Sequence, residues 1–346
     1  MRRALIAMVL WMLALGTDCG RKPSAAVDPA MLKVFEPLPE VVVASYGSPS
    51  EELIALGRML YYDPRLSKSQ QISCNTCHDL NKYGVDNEPV SDGHKGQKGD
   101  RNSPTVYNAA AQFAQFWDGR AADVEEQAKG PVLNPVEMAM PSDKLVIAVL
   151  RSIPEYVDAF RRAFPKEKDP VNIDNMARAI GAFERGLLTP ARWDKFLKGD
   201  AHALTFEEKA GLNAFLDVGC QVCHSGALLG GNMFQKLGLM KPYPDQSDPG
   251  RYGITKNEAD RMVFKVPLLR NVEKTAPYFH NGKVATLEQA VQEMADYQLG
   301  RTLSRKETEA IIAFLKSLTG EIPLDYIKQP ELPKSTPRTP KPDLSD

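Results

Sequence analysis

Cys74-Asn-Thr-Cys77-His78 and Cys220-Gln-Val-Cys223-His224 are two copies of one pattern, using four of the chain's five cysteines and two of its five histidines. Cys-x-x-Cys-His is the spacing of c-type haem attachment: two thiols add across the haem vinyl groups, and the adjacent imidazole is placed to bind iron. A zinc site would ask for further Cys or His ligands at short spacing, and a thioredoxin-like redox pair would not need the histidine. At this abundance of Cys and His, chance yields one match roughly a thousandth of a time and two about a millionth. Both sites are read as haem anchors.

The flanks repeat as well. Ser48-Pro-Ser-Glu51, followed by Leu53, Leu56 and Leu60, reads as a capping box opening an amphipathic helix before the first anchor. Thr205-Phe-Glu-Glu208, followed by Leu212, Phe215 and Leu216, gives the same signal before the second. Far downstream, Ala179-Ile180-Gly-Ala182-Phe183 echoes Ala310-Ile311-Ile-Ala313-Phe314, the latter opened by Ser304 and Glu307. Strand-like alternation is scarce. The expected fold is mostly α, as two cytochrome c-like helical domains, each with one covalently bound c-type haem.

Outward from these repeats, Arg2 and Arg3 precede an apolar run from Ala4 to Leu15, too short to span a bilayer and typical of a secretory signal. The expected organisation is a signal peptide over 1–20, a leader over 21–46, a first haem domain over 47–188 and a second over 189–320. The extension over 321–346 is expected to be partly disordered, above all the Pro- and Lys-rich Gln329–Asp346. Cys19 is either a lipid-anchor site or lost with the signal. The protein is expected to be periplasmic. A net charge of -1 gives no electrostatic case for nucleic acid.

What each haem does depends on its sixth iron ligand. In the second domain Met294 lies about ten residues before the closing helix, with Met233, Met240 and Met262 as rivals. The first domain has no methionine in an equivalent place; its polar, glycine-rich middle carries His94. That histidine is either a surface loop residue or a labile sixth ligand. Trp117 within Phe116-Trp117-Asp118-Gly119-Arg120-Ala121, taken alone, reads as core, and Glu137 is a solvated carboxylate or an acid-base group.

The order Cys74-x-x-Cys77-His78, Gly93-His94, Arg101-Asn102-Ser-Pro104, Phe116 to Ala121, Gln127 and Glu137-Met138 resembles the bacterial di-haem cytochrome c peroxidases. The second half adds Cys220-x-x-Cys223-His224, Pro267-x-Leu269-Arg270-Asn271, Thr275 to Gly282 and Met294-x-x-x-Gln298-Leu299-Gly300. The resemblance implies reduction of hydrogen peroxide to water with electrons from a small c-type cytochrome or a copper protein. It implies His94 as the releasable ligand of the peroxidatic haem, Glu137 as acid-base residue with Gln127 beside it, and Trp117 between the haems. It also implies Met294 as the second haem's sixth ligand, an interdomain calcium held by Asn102, Thr275 and Pro277, and a homodimer. His280 is expected to serve structure near the haem interface, and Asn281 stands where an aspartate is frequent. Two other classes stand beside this one. A di-haem electron carrier without peroxidase activity would need neither Gln127 nor Glu137. A di-haem enzyme maturing a tryptophan-derived cofactor would use a tyrosine, here Tyr297, in place of Met294.

Overall fold

The computed structural model describes residues 26–345; the apolar run near the N-terminus and Cys19 lie outside them. The chain is mostly helical: α1 (Glu51–Tyr62), α2 (Cys74–Cys77), α3 (Val124–Leu133), α4 (Asp143–Arg151), α5 (Pro154–Ala163) and α6 (Ile173–Glu184) build the first half. The second half holds α7 (Arg192–Leu197), α8 (Phe206–Val218), α9 (Tyr252–Thr255), α10 (Leu287–Glu293) and α11 (Arg305–Lys316). Its one sheet pairs β1 (Phe234–Lys236) with β2 (Val263–Lys265) in antiparallel register, Phe234 opposite Lys265. Among the described residues no helix is long and apolar enough to cross a membrane.

Each half has its own apolar core, and each core is organised by one helix crossing. In the first, a side chain at Gly57 would place its Cβ 1.7 Å from the Ala179 carbonyl oxygen and 3.0 Å from Phe183 Cβ. In the second, a Cβ at Gly211 would stand 1.9 Å from the Ala310 carbonyl and 3.0 Å from Phe314 Cβ. The opening and closing helices therefore meet backbone to backbone in both halves, through the residues that echo one another in sequence. The caps at Thr205–Glu208 and Ser304–Glu307 form as expected. The first differs: Ser50, not Ser48, caps α1 by accepting from the Leu53 amide, and the helix starts after the proline.

The duplication extends into the loops between the halves. Residues 102–121 and 265–284 align without a gap, pairing Pro104 with Pro267, Asn108 with Asn271 and Trp117 with His280. The backbone follows: Asn108 and Asn271 have φ of 61° and 62°, and Phe116 and Phe279 have 64° and 67°. The two segments exchange hydrogen bonds. The Asn102 amide donates to the His280 carbonyl at 2.8 Å, and the Lys265 amide donates to the Trp117 carbonyl at 2.7 Å.

The leader straps both halves. Phe35 packs edge-on against buried Trp193, and the Tyr46 hydroxyl donates to Glu125. The C-terminal stretch departs from the expectation of disorder, because it lies along the first half. Thr336 donates to the Ser152 carbonyl, Ser152 to the Thr339 hydroxyl, Arg65 to Ser335, and Gln70 to the Pro340 carbonyl. Its hydroxyl side chains and the Pro340 carbonyl find partners remote in sequence. Composition could not reveal those partners.

Candidate functional site

Both anchor motifs fold into one tight turn. The His78 amide donates to the Cys74 carbonyl and the His224 amide to the Cys220 carbonyl, each at 3.0 Å. In the second motif both cysteines and the histidine line one cavity. Burial pushes the thiols of Cys74 and Cys220 up to about 12. A reactive redox pair needs a depressed thiol instead. Among the described residues no three His, Cys, Asp or Glu side chains converge as a closed zinc site would require.

In the second half a cavity of about 240 Å³ is lined by Cys220, Cys223 and His224 on one part and by Met294 on another. The remaining wall is largely apolar, as a macrocycle requires. His224 Nδ1 bonds the Leu229 carbonyl at 3.0 Å, which fixes the ring and leaves Nε2 as the free metal-binding nitrogen. Burial lowers the His224 pKa and keeps the imidazole in the neutral, ligating form. The donor set and cavity therefore fit a haem. Met294 opens a π-helical turn, Met294–Gln298, that continues α10. Met233, Met240 and Met262 do not line this cavity; Met262 packs against Tyr243 and Phe264, and Met240 is exposed. Tyr297 likewise packs with Tyr243, outside the lining.

In the first half the structure brings His94 and Glu137 together through their backbones. The His94 amide donates to the carbonyls of Val136 (3.1 Å) and Glu137 (2.8 Å). Gly93 permits this approach, since a Cβ there would come within 1.9 Å of the Val136 carbonyl. His94 is buried rather than a surface loop residue: its Nδ1 has no partner and its Nε2 lies 3.4 Å from the Ser345 carbonyl. His78 Nδ1 is also buried without a partner. Glu137 receives a 2.8 Å hydrogen bond from Asn134 Nδ2, yet burial raises its pKa above the ordinary carboxylate range. Arg120, stacked 3.5 Å over the Phe116 ring, pulls the pKa the other way. Gln127 is half-buried on α3; among the described residues no hydrogen bond joins it to Glu137 or His94.

Trp117 and His280 meet edge to face between the halves, with ring centroids 6.4 Å apart. Trp117 Nε1 donates to the Asn102 carbonyl at 2.9 Å, and Asn102 Nδ2 donates to the Glu88 carbonyl, leaving Oδ1 as the free acceptor of that side chain. Asn102, Thr275 and Pro277 line the same cavity. Sequence reasoning gave His280 only a structural place and assigned Lys265 nothing. His280 is 2% exposed and stacks on Phe264, and the Lys265 side chain is buried in the cavity wall. The ungapped match of 265–284 to 102–121 was the available signal for both.

Residues 51–202 match the sequence signature of the family described as di-haem cytochrome c peroxidase. The chain is 52% identical to the cytochrome c551 peroxidase of Pseudomonas aeruginosa, over 89% of its own length and 90% of that protein's. The chain belongs to the di-haem cytochrome c peroxidase family. A cytochrome c551 peroxidase of Nitrosomonas europaea is 49% identical, over 84% of this chain and 86% of its own. Among solved structures, a MauG-like protein associated with microbial copper homeostasis superposes with a TM-score of 0.73 at 28% identity, covering 89% of this chain and 97% of that one. This peroxidase is accordingly an oxidoreductase carrying haem c, and its mostly helical architecture is that of its relatives.

Proposed function

We propose that the two halves of this cytochrome c peroxidase divide the work, with peroxide reduced in the first half and electrons received in the second. Cys74, Cys77 and His78 would hold one haem, and Cys220, Cys223, His224 and Met294 the other. Bound haem supplies iron for the peroxide and stores the electrons that reduce it. Everything else is the task of the polypeptide.

His94 guards the peroxide side of the first half. At Gly96 in the same turn a side chain would meet nothing within 4 Å, so that edge of the turn faces open space. Glu137 accepts a proton from the nearer oxygen of hydrogen peroxide and delivers it to the farther one, which departs as water. With two electrons and two protons, one peroxide becomes two waters. Gln127 is assigned as a polar neighbour of the substrate, and Trp117 links the halves through its contact with His280. Asn102 Oδ1 and the carbonyls of Thr275 and Pro277 offer the all-oxygen donors that calcium favours. A bound calcium would tie the two crossing loops together. The donor is a small c-type cytochrome or a copper protein, the location is the periplasm, and the assembly is a homodimer.

One observation carries the reading: the hydrogen bonds from the His94 amide to Val136 and Glu137 set the guard directly beside the proton carrier. The test is Glu137→Gln in the haem-loaded protein, with a reduced small cytochrome as donor. Positioned proton transfer contributes roughly 10²–10⁴-fold, so peroxide turnover falls by that factor while haem absorbance is kept. Full turnover in the variant removes Glu137 from the scheme.

A further inference from the structure

The ungapped match between 102–121 and 265–284 pairs Asn102 with Lys265. Both are buried, both line the second-half cavity, and both donate their amides across the interface, to His280 and Trp117 respectively. The side chains are opposite in kind. Asn102 offers an oxygen where a cation is proposed to bind; Lys265 is itself a cation.

Its surroundings leave that charge uncompensated. Among the described residues no carboxylate lies within ion-pair distance of the Lys265 ammonium, whose hydrogen-bond acceptor is the neutral Gln112 Oε1. Gln112 is seated against Gly231, where a Cβ would come within 2.8 Å of Gln112 Cγ. A buried, unpaired ammonium is strongly unfavourable, and burial alone pulls this one down to about 7. The cavity it faces is the one lined by Cys220, Cys223, His224 and Met294. Every haem c carries two carboxylate side chains, and a haem seated in a largely apolar wall needs a counter-charge for any it buries.

We propose that Lys265 is the resident cation of the second-half cavity and pairs with a carboxylate of the haem held there. The proposal rests on the haem reading of that cavity. A fixed positive charge near the centre stabilises the electron-rich state, so Lys265 raises the reduction potential of the second haem above what His224 and Met294 alone would set.

The experiment is a spectroelectrochemical titration of both haems in the holoprotein, with haem content measured alongside. Lys265→Gln should disfavour reduction of the second haem by roughly tenfold in its electron-exchange equilibrium, as expected for a unit charge lost near the centre. The first haem should be unmoved, and Lys265→Arg should retain most of the native value. Should Lys265→Gln fail to accumulate with haem, Gln112→Glu provides the second route. It places a competing carboxylate on the ammonium and should shift the same potential in the same direction. A loaded second haem with native potential in either variant overturns the proposal. Absence of a second haem from the wild-type protein would instead overturn the reading on which it rests.

Discussion

The two halves close on equivalent helices, yet what they bury beside their anchors differs in chemical kind. In the first, Phe183 is followed by Glu184, 5% exposed; in the second, the matching Phe314 is followed by Leu315, 3% exposed. The first half also joins buried His94 to half-buried Glu137 through one backbone junction, whereas the second surrounds His224 and Met294 with a largely apolar wall. A common scaffold has thus been given buried or half-buried carboxylates on one side and, on the other, an apolar wall interrupted by Lys265 and His280. Proton chemistry needs groups that change charge near neutral pH, while an electron-storing centre is tuned by its ligands and by the charge held beside it. Glu137→Gln, with its expected loss of two to four orders of magnitude, is the strongest attack on that contrast.

Glu184 tests it through stability. Burial, reinforced by the nearby Glu125 carboxylate and opposed by Arg185, raises its pKa from 4.5 to about 8. The folded protein therefore holds this proton up to about pH 8, and the unfolded chain releases it near 4.5. No stability is lost below 4.5; the loss grows as pH rises and is complete above about 8. Glu184→Gln should thus leave the unfolding temperature unchanged near pH 4.5 and raise it above pH 8, by an amount equivalent to a few kcal/mol. An advantage independent of pH would show that Glu184 is ionised in the folded protein. The first half would then lose one of its distinguishing groups.

What the halves share can be attacked too. Gly57→Ala and Gly211→Ala each force a methyl group into a carbonyl of the closing helix, at 1.7 and 1.9 Å before relaxation. Each should cost about 1–3 kcal/mol, as overpacking typically does, measured by denaturant unfolding of the holoprotein. Similar losses support one scaffold used twice. A large loss in one half alone would show that the crossings bear unequal shares of stability.

The duplicated motifs and helices were legible in the chain because tight turns and helix packing both demand fixed local spacings. The echo of Ala179–Phe183 in Ala310–Phe314 even gave the register of the crossings. The course of residues 329–345 was not legible. Those residues are fixed by hydrogen bonds to Ser152, Arg65 and Gln70, far away in sequence and unmarked by any periodicity. Lys265 was overlooked for a related reason: a lysine in a short strand reads as a solvated residue until the cavity beside it is seen. Its match to Asn102 becomes meaningful only once the two loops are seen to exchange hydrogen bonds.

The smallest expected effect concerns how the first half tunes its carboxylate. Burial raises the Glu137 pKa, and the Asn134 side-chain donor at 2.8 Å holds it down. A proton acceptor must be ionised to act, so the rate falls as pH drops through this pKa. Asn134→Ala removes the donor and should move the acid limb of kcat/KM for peroxide to higher pH, with little change on the plateau. The same substitution also removes the 3.1 Å bond from the Val136 amide to Asn134 Oδ1, which shapes the turn holding His94. Asn134→Asp separates these contributions, because it keeps that acceptor while replacing the donor to Glu137 with a like charge. If electrostatics governs the limb, Asp should shift it farther than Ala. If the turn governs it, Ala should shift it and Asp should not, and the apparent tuning of Glu137 would belong to backbone geometry.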